Sequence, residues 1–381
     1  MHFFVSSFSL LQKLYVLHKI IDPKNNSEYF IFELFGEKLM ILISDSENNM
    51  ITTEIQVSVK KNSKEKIAIP TKLIIDLLKT FPKEDIILKK EKKILYIYSE
   101  QGYYPIPTIY EDQLSNNNEL IKFTNNFLIV NTQKITLSSK ILLKILNKTL
   151  FAIGNEYFNP IMNGVYFNFS PYGATFVATD TYKLVKYTIN NIKLNHSIEF
   201  TIPKKSLKIL QNILKEEKET SSVTIEYNKI DIIKFYFENK TFLCRLINER
   251  YPDYNSVIPK NKDMLLIINR LSFLNSVKRV SIFSKEKISF IRFCLDDEKL
   301  KIYEENPFNY SKIKCKYIIA NNFQYRSIKL GFNSKFLIET LSSFNDDFVS
   351  FELYDKVGIF RPYSNTKKEE SFLILIMSVI V

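Results

Sequence analysis

The chain has no tryptophan, only seven glycines, and three cysteines, Cys244, Cys294 and Cys315, with no CxxC among them. An odd cysteine count at long spacing excludes a disulfide framework and a zinc site of the usual spacing, and leaves small buried hydrophobes. Scarce glycine goes with the lack of a P-loop and of GxGxxG, so the common nucleotide-binding loops are excluded. The histidines, His2, His18 and His196, stand near no serine or cysteine in a nucleophile setting. Arginine is also rare, seven of the 53 basic residues, so the planar forks that read bases are few. No apolar run reaches the roughly 20 residues of a spanning helix. SFLILIMSVIV, Ser371 to Val381, is about half that length, and it reads as a strand buried on both faces. At the other end, Ser6, Ser7, Ser9, Gln12 and Lys13 interrupt the apolar stretch and no small-residue cleavage site follows. The expectation is a cytoplasmic protein with no membrane segment.

What is present is a globular composition, 45% hydrophobic and 25% charged, with a net charge of +12. Such a charge favours an acidic partner, nucleic acid being the commonest. Abundant Lys, Asn, Ile, Phe and Tyr also follow from AT-rich codons, so charge alone does not assign the partner.

The stronger signal is internal repetition. KIAIPTKLIIDLLKTFPKEDIILKKEKKILYIYS near residue 70, EFTIPKKSLKILQNILKEEKETSSVTIEYNKIDIIKFYF near 203 and IKLGFNSKFLIETLSSFNDDFVSFELYDKVGIFRPYS near 332 share one plan. Each has a strand, a breaker position (Pro70, Pro203, Phe332), an amphipathic helix and two hairpin-like strands. Helical spacing shows at Leu73/Leu77, Leu207/Leu210/Leu214 and Phe336/Leu337/Leu341. A second helix precedes each copy, with faces Leu10/Leu14/Leu17/Ile21 and Ile141/Leu142/Ile145/Leu146, and a third within LLIINRLSFLNSVKRVSIF. Alternating strands lie between the two helices of each unit. The fold class read from this is α+β, three tandem similar domains with boundaries at 1–127, 128–256 and 257–381. Head-to-tail contact between similar units closes a ring where the rotation permits.

Lysines repeat with the helices. Lys140, Lys144 and Lys148 recur every four residues, Lys204, Lys205 and Lys208 open another helix, and Lys13, Lys72 and Lys335 lie on or beside others. Such lysines suit salt-sensitive, sequence-independent phosphate contact, although a solvated helix face explains any single stripe. The carboxylates Asp45 and Asp180 sit in matching settings, which a repeated structural turn explains better than acid–base chemistry.

NPIMNGV (Asn159–Val165), ATDTYKL (Ala178–Leu184), IPKKSL (Ile202–Leu207) and CRLINERYPDYNSVIP (Cys244–Pro259) resemble motifs of the bacterial DNA sliding clamps, the beta subunits of DNA polymerase III. The likeness runs over essentially the whole chain and is most specific in its middle third. It implies a head-to-tail homodimeric ring around duplex DNA, helices lining the hole and sheets outside. It also implies a non-catalytic processivity factor with no catalytic residue, metal or cofactor of its own. Implied partners are the polymerase alpha subunit, a clamp loader and other proteins carrying a clamp-binding motif. These dock a short apolar peptide into a cleft, whose matching positions here are Thr179, Lys183, Leu184, Pro252, Val257, Asn333, Leu375, Ile376 and Met377. The lysines above, with Lys24, are the DNA-facing candidates. Lys183 replaces the family's usual Arg, and Thr181 a Gly. The first-unit loop before Tyr29 is shorter than in the family, with Lys24 its one basic residue. Two other readings remain at this point: a basic adaptor that binds DNA without encircling it, and a metal-dependent nuclease using Asp180, Glu249 and Asp253.

Overall fold

The structure is a computed structural model. It describes residues 1–21, 29–47, 49–61, 66–110, 133–154, 159–227, 231–260, 264–283, 290–296, 299–304, 308–319, 328–354, 356–363 and 369–380. Lys24, its loop and the expected boundary at 127/128 lie outside these residues.

Six α-helices occur among the described residues: α1 (Ser7–Ile20), α2 (Thr71–Leu78), α3 (Ser139–Thr149), α4 (Lys204–Glu216), α5 (Arg270–Ser281) and α6 (Ser334–Ser343). They fall in pairs along the sequence, with antiparallel strands before, between and after them, so the α+β architecture is as expected. Asn side chains start both helices of the last third. Asn269 accepts the Ser272 N–H at 2.9 Å and Asn333 that of Lys335 at 2.9 Å, each satisfying a donor the first turn leaves orphaned. The amphipathic faces are largely those expected. Leu10, Leu14 and Leu17 are buried in α1, and Leu207, Leu210 and Leu214 in α4. In α2 the face differs: Ile74, Ile75 and Leu78 are buried while Leu73 is exposed. LIIDLL offers apolar residues on two faces, so spacing alone does not choose between them.

The chain forms two compact units, Met1–Leu143 with Lys205–Leu246, and Lys144–Lys204 with Ile247–Val381. In the first, a five-stranded sheet ends on the strand Gly102–Pro107, and a nine-stranded sheet pairs Met50–Gln56 with Lys240–Arg245. In the second, one thirteen-stranded sheet contains the C-terminal run. Glu370–Met377 lies between Lys183–Ile189 and Val357–Pro362, antiparallel to both. Phe372 through Ile376 are all buried, which is why this segment lacks the polar alternation of a one-faced strand. Val379 and Ile380 then pair with Gly331 and Leu330. The apolar tail is therefore a central strand, and no described helix is long and apolar enough to cross a membrane.

Cys244 is fully buried, and burial pushes its thiol up to about 12. Cys315 is also buried, and none of the three cysteines forms a disulfide.

Candidate functional site

The turn motifs place the first functional side chains. Asp180 Oδ1 accepts the N–H groups of Tyr182 at 3.1 Å and Lys183 at 2.8 Å. Asp45 Oδ1 does the same for Glu47 at 2.9 Å and Asn49 at 3.0 Å. Both carboxylates thus close turns through their own backbone. Burial pushes the Asp180 carboxyl above its ordinary value against the opposing pull of Lys183. Thr181, in that turn, has φ of +72°, a left-handed conformation costly for a β-branched residue. Thr179 donates its hydroxyl to the Lys183 carbonyl at 2.8 Å, so it too serves the turn.

Strand parity then divides the nominated cleft residues. Leu184 stands opposite Leu375 and Thr179 opposite Leu184, whereas Lys183 stands opposite Ile376. Successive side chains of a strand point to opposite faces. Leu375 and Ile376 therefore cannot line one wall, and the expectation that both turn toward a single cleft is corrected. Leu184 and Leu375 belong to a buried cluster with Tyr166, Tyr251 and Val357, against which Tyr254 and Ile258 pack. Tyr166 and Tyr251 stack at 4.7 Å. The turn after Tyr251 brings exposed Pro252 and Val257 to this side, and Met377, opposite Val357, is 42% exposed. The carbonyl of Tyr182, a residue 59% exposed, accepts the Met377 N–H at 2.8 Å.

On the other face Lys183 is 5% exposed, with its ammonium 2.6 Å from Glu339 and 3.5 Å from Asp180. It also lies 4.7 Å from the Phe336 ring centroid. Glu339 and Phe336 both belong to α6, the helix Asn333 caps. Lys183 is therefore held inside the protein, and Asn333 is engaged in starting a helix.

The helix lysines fall into two kinds. Lys72, Lys208 and Lys335 are exposed; Lys13 is half-buried. Lys140 pairs with Glu219 at 2.7 Å and Lys144 with Glu370 at 2.6 Å. Lys148 donates to the Ser343 carbonyl and lies 4.5 Å from the Phe372 centroid, and its burial lowers the ammonium's affinity for its proton. Lys204 donates to the carbonyls of Ile153 at 3.1 Å and Gly154 at 3.2 Å. Lys205 faces Glu47 at 2.9 Å and Asp45 at 3.6 Å.

Sequence reasoning missed Tyr166, Val357 and Tyr354 of the apolar cluster. Alternation in GVYFNFS and the hairpin before the C-terminal strand were the available signals. A cavity of about 660 Å³ between α5 and the strand Tyr310–Ile319 is lined by Ser276, Arg279 and Lys314 among others, and by none of the nominated residues. Among the described residues no group of three or more His, Cys, Asp or Glu is placed to hold a metal ion.

Paired helices alternate with antiparallel strands along the chain, the architecture of a DNA sliding clamp. Two family models match in tandem, the central domain of the DNA polymerase III beta subunit over residues 136–253 and its C-terminal domain over 255–377. A beta sliding clamp of Staphylococcus aureus is 23% identical over 318 residues, 82% of this chain and 79% of the relative. That of Buchnera aphidicola is 22% identical over 352 residues, 90% of this chain and 91% of the relative. The DNA polymerase III beta subunit of Pseudomonas aeruginosa superposes with a TM-score of 0.84 at 20% identity, covering 100% of both chains. A Pseudomonas aeruginosa clamp solved bound to griselimycin gives 0.81, also at 20% identity and 100% of both. The two models together span well over half the sequence, and the chain belongs to the beta subunit family of bacterial DNA polymerase III. It is a sliding clamp of DNA replication, a processivity factor and a non-catalytic accessory subunit of that polymerase.

Proposed function

We propose that two copies of this chain, each of three domains at 1–127, 128–256 and 257–381, join head to tail into a ring that encircles duplex DNA in the cytoplasm. Lysines on the helices, led by exposed Lys72, Lys208 and Lys335, meet the phosphates. The observation that carries this is the recurrence of an exposed lysine within the first five residues of α2, α4 and α6, the same helix of each repeat. Contacts of that kind hold any sequence and release with salt. Lys148 and Lys204 add field but not free ammonium groups, since each already donates to a carbonyl. Two open strand edges support the assembly. Gly102–Pro107 ends its sheet, and Tyr310–Lys314 has a strand partner on one side only among the described residues. Edges of this kind invite pairing with another chain.

Loading by the clamp loader onto circular DNA tests the ring. The protein should stay on the closed circle and leave when the circle is cut, whereas equal retention on both forms would favour a basic adaptor.

Val257, Pro252 and Met377 around the Leu184/Leu375 floor take the apolar side chains of a partner peptide, that of the polymerase alpha subunit among them. Griselimycin, bound by relatives, serves as the probe. Met377→Ala and Val257→Asp should weaken its binding while the ring still loads. Unchanged binding in both would remove this site from the proposal.

A further inference from the structure

The apolar docking floor of the second unit ends in charge. On the strand Lys183–Ile189, Lys186 lies two residues beyond Leu184 and so shares its face. It stands directly opposite Leu373 of the C-terminal strand. On that strand's other side Phe360 stands opposite Ile374, so the next position, Arg361, flanks Leu373 from there. Leu373 and Leu375 both belong to the buried apolar cluster. From exposed Met377 the floor therefore runs through Leu375 to Leu373, where a cation stands on either side, and then reaches exposed Ser371.

The two cations are held differently. Arg361 lies 3.5 Å from Glu352, whose other oxygen accepts the Tyr354 hydroxyl at 2.9 Å. The Lys186 ammonium donates to the Asn255 side-chain carbonyl at 3.0 Å and lies 5.3 Å from the Tyr254 centroid. Its partner is thus a neutral amide, and among the described residues no carboxylate forms an ion pair with it. Glu199, on the same face, is engaged by the Tyr166 hydroxyl. Lys183, three residues earlier, meets both Glu339 and Asp180. Burial and the nearby charge of Arg361 both weaken the hold of Lys186 on its proton. A half-buried ammonium beside a second cation is charge that the fold leaves uncompensated. It has three donors, one of which goes to Asn255. Tyr254 and Asn255 belong to the turn that carries Pro252 and Val257, so the remaining donors lie at the margin of the surface that a peptide on Leu184 and Leu375 covers.

We propose that this end of the docking site reads an acidic side chain, an Asp or Glu flanking the apolar residues of a partner peptide, whose carboxylate meets Lys186 and Arg361 past Leu373. The inference rests on the docking reading above and adds a charge requirement to it. Apolar side chains on Leu184 and Leu375 supply buried area, and the carboxylate decides which partners fit, through charge complementarity that also speeds encounter. A peptide with a basic residue at that flank meets two like charges and is rejected.

The test uses the full chain and short peptides of Leu, Phe and Ser that displace fluorescein-labelled griselimycin, read by fluorescence anisotropy. Each peptide carries a single Glu at one flank or the other and is paired with a Gln counterpart. Both termini are blocked, which removes the terminal carboxylate as a second source of the same chemistry. At one flank the Glu peptide should bind about 3- to 5-fold more tightly than its Gln counterpart, and the gap should close at about 1 M salt. A Lys186→Met, Arg361→Gln double variant should erase the gap while griselimycin binds as before, which shows the turn at Asn255 still in place. Lys186→Arg, which keeps the charge, should keep the gap. Equal binding of Glu and Gln peptides at both flanks, with both displacing griselimycin, would overturn this inference and leave the docking site standing. A gap that persisted in the double variant would overturn it as well, because the acid would then be read elsewhere. Failure of griselimycin and of every peptide to bind would overturn the docking site itself and this inference with it.

Discussion

Two lysine-rich regions, the α3 stripe and the outer face of the Lys299–Tyr303 and Tyr310–Ile319 strands, look alike in sequence and differ in chemistry. On α3 each lysine has an acceptor: Glu219 for Lys140, Glu370 for Lys144, the Ser343 carbonyl for Lys148. On the sheet face lysine opposes lysine at two successive registers. The α3 lysines meet acceptors of the protein itself, whereas Lys299, Lys312 and Lys314 of the sheet face are exposed beside other lysines. A stripe of Lys at helical spacing therefore says little about a ligand until its partners are known. A pair of lysines in cross-strand register is a different case, because its members face each other across two strands rather than along one helix.

The contrast breaks most visibly at Lys183, the extreme of internally held charge. It is 5% exposed and paired with Glu339. Lys183→Ala should lower unfolding stability by about 3 kcal/mol, since removing one partner leaves the other partly buried and uncompensated. Urea denaturation measures this, and a Lys183→Ala, Glu339→Gln double variant should recover about 1 kcal/mol of the loss. A loss no larger than that of an exposed lysine would erase the distinction.

Lys148 comes next. Its ammonium caps a carbonyl and its stem crosses Phe372 and Phe344. Lys148→Ala should cost about 1–2 kcal/mol through lost packing and the lost cation–ring contact, again by urea denaturation. Lys148→Met, which keeps the stem, should cost less.

How far these roles were legible in sequence follows from what each depends on. The helices and the buried C-terminal strand were legible because burial imposes periods of 3.6 and 2 on nearby residues. The Asp45 and Asp180 turns were legible because an Asx-type turn needs only its own few residues. The fate of Lys148 was not, because Ser343 and Phe372 are about two hundred residues away and nothing local encodes that approach. Lys183 misled for the same reason: family position suggested a cleft rim, while Glu339 and Phe336 on α6 hold it on the opposite face from Leu184. The α2 face failed differently, since LIIDLL satisfies two helical faces and only the tertiary contact selects Ile74 and Ile75. Parity at Leu375 and Ile376 was in principle readable, as alternation along a strand needs no structure, only the register that family position did not supply.

The Lys144–Glu370 pair sharpens the comparison through pH. Burial pushes the Glu370 carboxyl up, but hydrogen bonds from Lys144 and Tyr187 outweigh it and hold the group below its ordinary value. A carboxyl depressed in the folded state contributes stability above its unfolded pKa and loses it as pH falls through the folded one. Both partners are well exposed, 44% and 39%, so solvent screening holds the contribution to under about 1 kcal/mol. Parent and Glu370→Gln should therefore differ in urea midpoint at neutral pH and converge below the ordinary glutamate range. A difference that persisted in acid would mean that packing, not charge, holds this end of the strand.

The smallest effect carries the opposite sign. Lys314→Gln should raise stability by about 0.2–0.5 kcal/mol, because it relieves the Lys299/Lys314 opposition. No α3 lysine should show a gain, since each loses a partner. Thermal melts at low ionic strength resolve the difference best, and added salt should shrink the sheet-face gain by screening. The sign, more than the size, separates charge that the fold consumes from charge that it tolerates. If Lys314→Gln destabilised as Lys144→Gln does, the Lys299/Lys314 register would serve the fold itself, and the contrast with α3 would vanish.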